Sequence, residues 1–248
     1  MSAPDGDILC GRNPVLELLR SERETHKLWL RSGGGRHDDI RRAAALRGVP
    51  VQNVDEAALT RLAGGVRHQG VVALAAAKSY AAPEDILALA AARGEEAFVV
   101  ALDGVEDPQN LGAIARSAEG LGVHGLFIPR RRSAGLTPAA ARAAAGALEY
   151  MPVARVSNIA QTLTYLKENG LWVTGAERDG APLAGADLSG PRALVLGGED
   201  KGLGRTVRAV CDEIVALPAQ GRISSYNVSA AAAILMYETR RQRGAGPG

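Results

Sequence analysis

The stretch Leu194–Gly204, LVLGGEDKGLG, constrains this chain most: an apolar run leads straight into glycines carrying one carboxylate, Glu199. Leu217–Glu238, LPAQGRISSYNVSAAAAILMYE, makes a similar transition, crossing a Ser/Asn-rich turn into a long apolar helix. Leu102–Val123, LDGVEDPQNLGAIARSAEGLGV, makes it again. Continuous apolar runs such as AFVVALD fit strands buried on both faces of a parallel sheet. Loops beyond the carboxyl ends of such strands are where open α/β sheets hold ligands.

The remaining elements alternate around these runs. Gly11–Arg23 predicts a helix with Asn13 at its cap and Pro14 first in it. Lys27–Arg31, Val49–Val54 and Gly70–Ala76 predict strands, separated by helices over Ile40–Gly48 and from Asp55 onward. Together they describe a small α/β domain over 1–77. Lys78–Arg93 carries no strand pattern and contains Pro83, so 78–95 is expected to be a linker with one short helix. The alternation then resumes on a larger scale over 96–248. Helices are expected over Leu111–Leu121, Pro138–Ala147, Ile159–Glu168, Arg205–Val210 and Val228–Arg243, with LWVTGAE (Leu171–Glu177) among the strands.

Composition limits what the loops can do. Hydrophobic residues are 46% and charged residues 23%, which fits a globular chain. Aromatics are only 4%, leaving little ring stacking for a ligand. Cys10 and Cys211 make no disulfide framework, so a reducing, cytoplasmic setting is expected. No apolar run approaches the roughly 20 residues of a membrane span, and the N-terminus lacks a signal peptide's basic start and apolar middle. A net charge of +2 is too mild to imply nucleic-acid binding through charge alone.

Several common chemistries are disfavoured. LDGVEDPQNLG has glycines only at 104 and 112, not the G-x-G-x-x-G of dinucleotide sites. GGEDKGLG lacks the Lys-Ser/Thr of a P-loop, and no G-x-S-x-G elbow is present. No cluster has metal-ligand spacing, so no metal is expected. What remains is a pocket built largely from backbone. Gly197, Gly198, Gly202 and Gly204 fall within eight residues after an apolar run, more than one tight turn requires. Ser224, Ser225 and Asn227 precede the last helix; one can cap it, and three exceed that need. Asp107 and Pro108 resemble a cap followed by a first-turn proline. Asn110 and Arg116 then lie roughly 240° apart around the helix, so they cannot share a face.

NLGAIAR (Asn110–Arg116), LGGEDKGL (Leu196–Leu203) and LPAQGRISSYNVSAAAAI (Leu217–Ile234) resemble, in order and spacing, the three motifs of the SpoU, or TrmH-type (SPOUT superfamily), 2′-O-ribose RNA methyltransferases. GRNPVLELL and HQGVVA (His68–Ala73) resemble the RNA-recognition domain of the RlmB type, which methylates a guanosine of bacterial large-subunit (23S) rRNA. The resemblance implies a C-terminal parallel-sheet domain with a deep trefoil knot, a homodimer with sites near its interface, and S-adenosylmethionine as methyl donor. It assigns catalysis to Arg116 with Asn110, Glu199, Ser225 and Asn227. It assigns donor contacts to Gly197, Gly202, Leu217 and Tyr226. Tyr226 departs from the family's usual leucine, which puts the packing around the donor in question. Two alternatives stand beside this reading. One is the same chemistry on tRNA or another rRNA site, as in antibiotic-resistance methylation. The other is a non-catalytic RNA binder using Arg36, Arg41, Arg42 and Arg47.

Overall fold

The computed structural model describes residues 6–33, 37–199, 201–221 and 225–244. Two α/β domains follow one another. In the first, β1 (Asp7–Cys10), α1 (Arg12–Arg20), β2 (Thr25–Arg31), α2 (Asp38–Leu46), β3 (Val51–Val54), α3 (Glu56–Leu62) and β4 (Val71–Ala75) form a mixed sheet in the order β1-β4-β2-β3. Only the β2–β3 pair is parallel. Leu18, Leu28, Leu30, Ile40, Val71 and Ala73 are fully buried between sheet and helices. Burying the leucine, isoleucine and valine side chains stabilises by about 1.5–3 kcal/mol each.

The start of α1 differs from the sequence expectation. Gly11, at φ 102°, is the cap, and Asn13 lies inside the first turn. The partner for the helix's first amide comes from far along the chain: Arg12 N donates to Gln69 Oε1 at 3.0 Å, and Gly11 N to the Val71 carbonyl at 3.1 Å. The GRNPV and HQGVVA stretches thus meet, each completing the other's backbone bonding. Asp55 caps α3 as expected, accepting from Ala58 N at 2.7 Å.

The second domain holds α4 (Pro83–Ala92), β5 (Phe98–Asp103), α5 (Pro108–Gly120), β6 (Gly125–Pro129), α6 (Pro138–Ala143), β7 (Val153–Val156), α7 (Ile159–Glu168), β8 (Trp172–Pro182), β9 (Arg192–Gly197), α8 (Arg205–Val210), β10 (Glu213–Ala216) and α9 (Val228–Gln242). Its six strands are all parallel, in the order β10-β8-β9-β5-β6-β7. Successive residues of β5 and β9 face opposite layers. Val100, Leu102, Leu194 and Leu196 pack with α5 and α9; Val99, Ala101, Ala193 and Val195 pack with α4 and α7. Burial on both faces is why these strands read as unbroken apolar runs.

Three local departures have visible causes. The helix expected to reach Ala147 stops at Ala143, because Ala145 (φ 52°) and Gly146 (φ 104°) turn left-handed. There Gly146 backs onto Glu17 of α1, where a Cβ would lie 2.4 Å from Glu17 Cγ. Strand β8 runs on to Pro182, pairing with β10 through a register shift. Helix α4, expected within a linker, buries Ile86 in the parallel-sheet core, and Ala81 bridges to Ala154. Across the domain boundary Arg23 donates to Glu149 Oε1 at 3.0 Å and Tyr150 Oη to Glu17 at 2.8 Å. Beyond β5 the chain passes through α5 to β6 on one side, while β9 flanks β5 on the other. This reversal opens a crevice at the carboxyl ends of β5 and β9.

Candidate active site

Three loops converge on that crevice. After β9 the chain folds back on itself: Gly198 N donates to the Asp103 carbonyl at 2.8 Å and Gly202 N to the Gly198 carbonyl at 3.0 Å. A Cβ at Gly197 would sit 2.1 Å from the Gly202 carbonyl carbon, so the doubled-back loop has no room for a side chain there. The loop is tied down from both sides. Leu203 N donates to Glu177 Oε1 at 2.6 Å and Gly204 N to Asp103 Oδ2 at 2.7 Å. Arg208 pairs with Glu177 and, at 2.8 Å, with Asp179, and its hydrogen bond holds the Asp179 carboxyl below the usual range.

This geometry brings Glu199 against one residue from each of the other two loops. Asp107 caps α5 as expected, accepting from Gln109 N at 2.8 Å, and so places Asn110 in the first turn, only 8% exposed. Asn110 Nδ2 donates to Glu199 Oε1 at 3.1 Å. Asn227 Nδ2 donates to the same oxygen at 2.7 Å and to Asn110 Oδ1 at 3.0 Å. Asn227 also caps α9, its Oδ1 accepting from Ser229 N at 3.0 Å. Capping and site-building therefore use opposite ends of one amide. Glu199 Oε2 takes no hydrogen bond among the described residues.

Two cavities flank the Gly198–Glu199 ridge. The first, about 380 Å³, is lined by Gly197, Gly202, Leu217, Ser225 and Tyr226, with Leu196, Val215 and Ala231 as its apolar wall. The four expected donor contacts thus share one cavity with Ser225. Tyr226 is 45% exposed, and its hydroxyl donates to the Pro218 carbonyl at 2.7 Å. The second cavity, about 390 Å³, is lined by Asn110, Glu106, Arg131 and Arg132. Gly198, Glu199, Lys201, Gly202 and Val228 border both.

Arg116 is not brought to this cluster. It faces solvent on α5, lines neither cavity, and makes no hydrogen bond or ion pair among the described residues. Its separation from Asn110 around the helix is the one the spacing predicts. Ser224 and Arg36 lie outside the described residues. Sequence reasoning missed Glu177, Arg178 and Asp179 within β8, and Arg131 and Arg132 after β6. Only the unexpected length of β8 signals the first group, and the run of three arginines at 130–132 signals the second. Among the described residues no group of three or more His, Cys, Asp or Glu is placed to hold a metal ion. No helix there is long and apolar enough to cross a membrane.

Residues 97–237 match the model of the SpoU rRNA Methylase family, and residues 8–81 match that of the RNA 2′-O ribose methyltransferase substrate binding domain. The chain is 42% identical over 240 residues to a putative TrmH family tRNA/rRNA methyltransferase, YacO, of Bacillus subtilis, covering 96% of each. It is 40% identical over 241 residues to a putative TrmH family tRNA/rRNA methyltransferase of Staphylococcus haemolyticus, covering 95% of this chain and 96% of the other. Among solved structures it resembles a putative RNA methyltransferase of the TrmH family from Porphyromonas gingivalis: TM-score 0.76, 28% identity, 96% of this chain and 90% of the other. Its fold also matches the SpoU methyltransferase AviRb from Streptomyces viridochromogenes in complex with AdoMet, at TM-score 0.79 and 23% identity, covering 95% and 89%.

Proposed function

The chain belongs to the SpoU rRNA methylase family, and from that premise we propose that it methylates the ribose 2′-oxygen of one guanosine in large-subunit (23S) rRNA. It is an S-adenosylmethionine-dependent RNA methyltransferase by family. The observation that carries the reading is the Asn110–Glu199–Asn227 cluster standing between two cavities. The first cavity fits the donor: its volume lies within the roughly 300–1,000 Å³ of small-molecule sites, and glycines and aliphatic side chains line it together with polar groups such as Glu177, Asp179 and Ser225. Gly197, Gly202, Leu217 and Tyr226 would hold the donor there.

S-adenosylmethionine supplies an electrophilic methyl group on a sulfonium. The protein's part is orientation and charge. Asn110 and Asn227 lock Glu199 Oε1, and Glu199 lines both cavities. We assign Oε2 as the acceptor of the 2′-hydroxyl proton. The bound donor would supply the methyl group that replaces the hydroxyl proton on the ribose oxygen, and Glu199 would take that proton. Ser225, on the donor-cavity wall, helps orient the hydroxyl. A guanidinium has no acceptor lone pair, so Arg116 contributes by binding a target phosphate.

Residues 1–77 serve as the RNA-recognition part, which the substrate-binding match over 8–81 supports, with 96–248 as the methyltransferase part. We read the assembly as a cytoplasmic homodimer whose C-terminal segment is threaded as a trefoil knot. The dimer reading is supported by Ile234 (42% exposed) and Tyr237 (60%), apolar side chains three residues apart on α9. A dimer with sites near its interface would let the exposed Arg116 reach RNA held there. Incubation with labelled donor and total RNA from a strain lacking the enzyme tests the substrate class. Label is expected in large-subunit rRNA; label only in tRNA would redirect the assignment.

A further inference from the structure

Resting on the methyltransferase reading, we propose that the second cavity receives the target nucleotide and that Arg131, Arg132 and Lys201 hold a phosphate of its RNA backbone there. The cavity borders the donor cavity through Gly198, Glu199 and Gly202, so a ribose at the shared wall faces both. Asn110, on its wall, ties it to the cluster already described.

The three cations are exposed and make no hydrogen bond or ion pair among the described residues. Elsewhere Arg23, Arg192 and Arg208 are each bound to carboxylates. Guanidinium forks match phosphate oxygens bidentately, and a lysine adds a point charge. The lining carboxylates, by contrast, are largely engaged. Asp103 accepts from Gly204 N, Asp107 from Gln109 N, and Glu199 from two asparagine amides. Glu106 has no such partner among the described residues, and its charge directs a phosphate away from itself toward the turn after β6.

Backbone conformation is the second observation. Arg132 sits at φ 54°, a region glycine enters freely and an L residue enters only under constraint. The turn is held at both ends: Ser133 Oγ donates to the Pro129 carbonyl and Arg130 N to the Val156 carbonyl at 2.8 Å. An arginine kept where glycine would relieve strain points to a role for its side chain.

The test measures equilibrium binding of a large-subunit rRNA transcript by filter retention across a salt series, beside donor affinity by calorimetry. In R131A/R132G the RNA dissociation constant should rise at least tenfold. The salt slope should fall by about 0.7, the loss of one single-stranded phosphate. Donor affinity should stay within twofold. Thermal stability should hold or rise, because R132G removes the strained side chain; K201A should weaken RNA binding in the same direction, and R131K/R132K should retain most of it. Unchanged RNA affinity and slope in R131A/R132G would overturn the proposal, as would an equal loss of donor affinity. Competition by guanosine 5′-monophosphate or inorganic phosphate as strong as by RNA would also overturn it, marking a free-anion site. If the wild type binds RNA but transfers no methyl group, the catalytic reading fails while this binding test still reads the cavity.

Discussion

Asn227 Nδ2 lies 2.7 Å from Glu199 Oε1, joining loops that leave different strands and stand 28 residues apart. Because Asn110 donates to that same oxygen, one carboxylate oxygen is held by two amides, while the other takes no hydrogen bond among the described residues. That asymmetry makes Glu199 separable into two roles by experiment.

Glu199→Gln preserves the Oε1 acceptor for both asparagines and removes the acceptor at Oε2. The expected result is a kcat lowered by roughly 10²–10⁴, the range of a general base, with donor affinity unchanged. Glu199→Ala should lower donor affinity as well, because the loop loses its anchor. Equal kcat in E199Q and the wild type, read in single-turnover assays, would leave Glu199 a structural residue.

Arg116→Ala should lower turnover by roughly 10²–10³, the size of a lost transition-state charge contact. Donor affinity should stay within a few-fold, because Arg116 lines neither cavity. Calorimetry with the donor alone, set beside steady-state kinetics, reads both; near-normal turnover would remove Arg116 from the mechanism.

Much of this arrangement was legible before folding was considered. Ile159–Glu168 and Arg205–Val210 form helices with the bounds their pattern predicts, and β5 and β9 are the double-sided strands their apolar runs require. Asn110, Glu199 and Asn227 were assigned to the site by the resemblance of their loops to the family's motifs, and each of those loops follows a strand. What escaped depends on contacts between distant residues. Asn13 looks like a cap, but Gln69 serves the first amide of α1 from 57 residues away. Helix α6 ends early because the chain must pass Glu17. Arg131 and Arg132 gain meaning only beside a cavity whose other wall comes from β9.

A fragment beginning at Lys78 should fold and bind the donor, whereas one beginning at Glu95 should be markedly less stable. The difference is α4, whose Ile86 is fully buried against Gly125; its loss leaves a cavity costing about 2–5 kcal/mol. Both fragments should lose most RNA affinity. Chemical denaturation of the two fragments checks the first claim, and equal midpoints would contradict it.

Acid should weaken the fold through His124. Burial pushes its imidazole below the usual range, against the opposing pull of Glu95; Arg93 lowers it further. Nδ1 accepts from Phe98 N at 3.0 Å, which requires the neutral ring. A depressed folded value means the unfolded chain binds the extra proton first. Stability is therefore full above about pH 6.5 and declines as pH falls toward the folded value. His124→Asn should flatten that decline in denaturation midpoints measured from pH 7.5 to 5; an unchanged slope would exclude His124 as its source.

The most direct measurement maps the methyl group on large-subunit rRNA modified in vitro by the full chain. Alkaline hydrolysis is blocked at a 2′-O-methylated ribose, so the modified position appears as a gap in the cleavage ladder. The account predicts one gap, at a guanosine, absent without donor and absent with E199Q over the time in which the wild type completes it. An intact ladder accompanied by label on a base would contradict it.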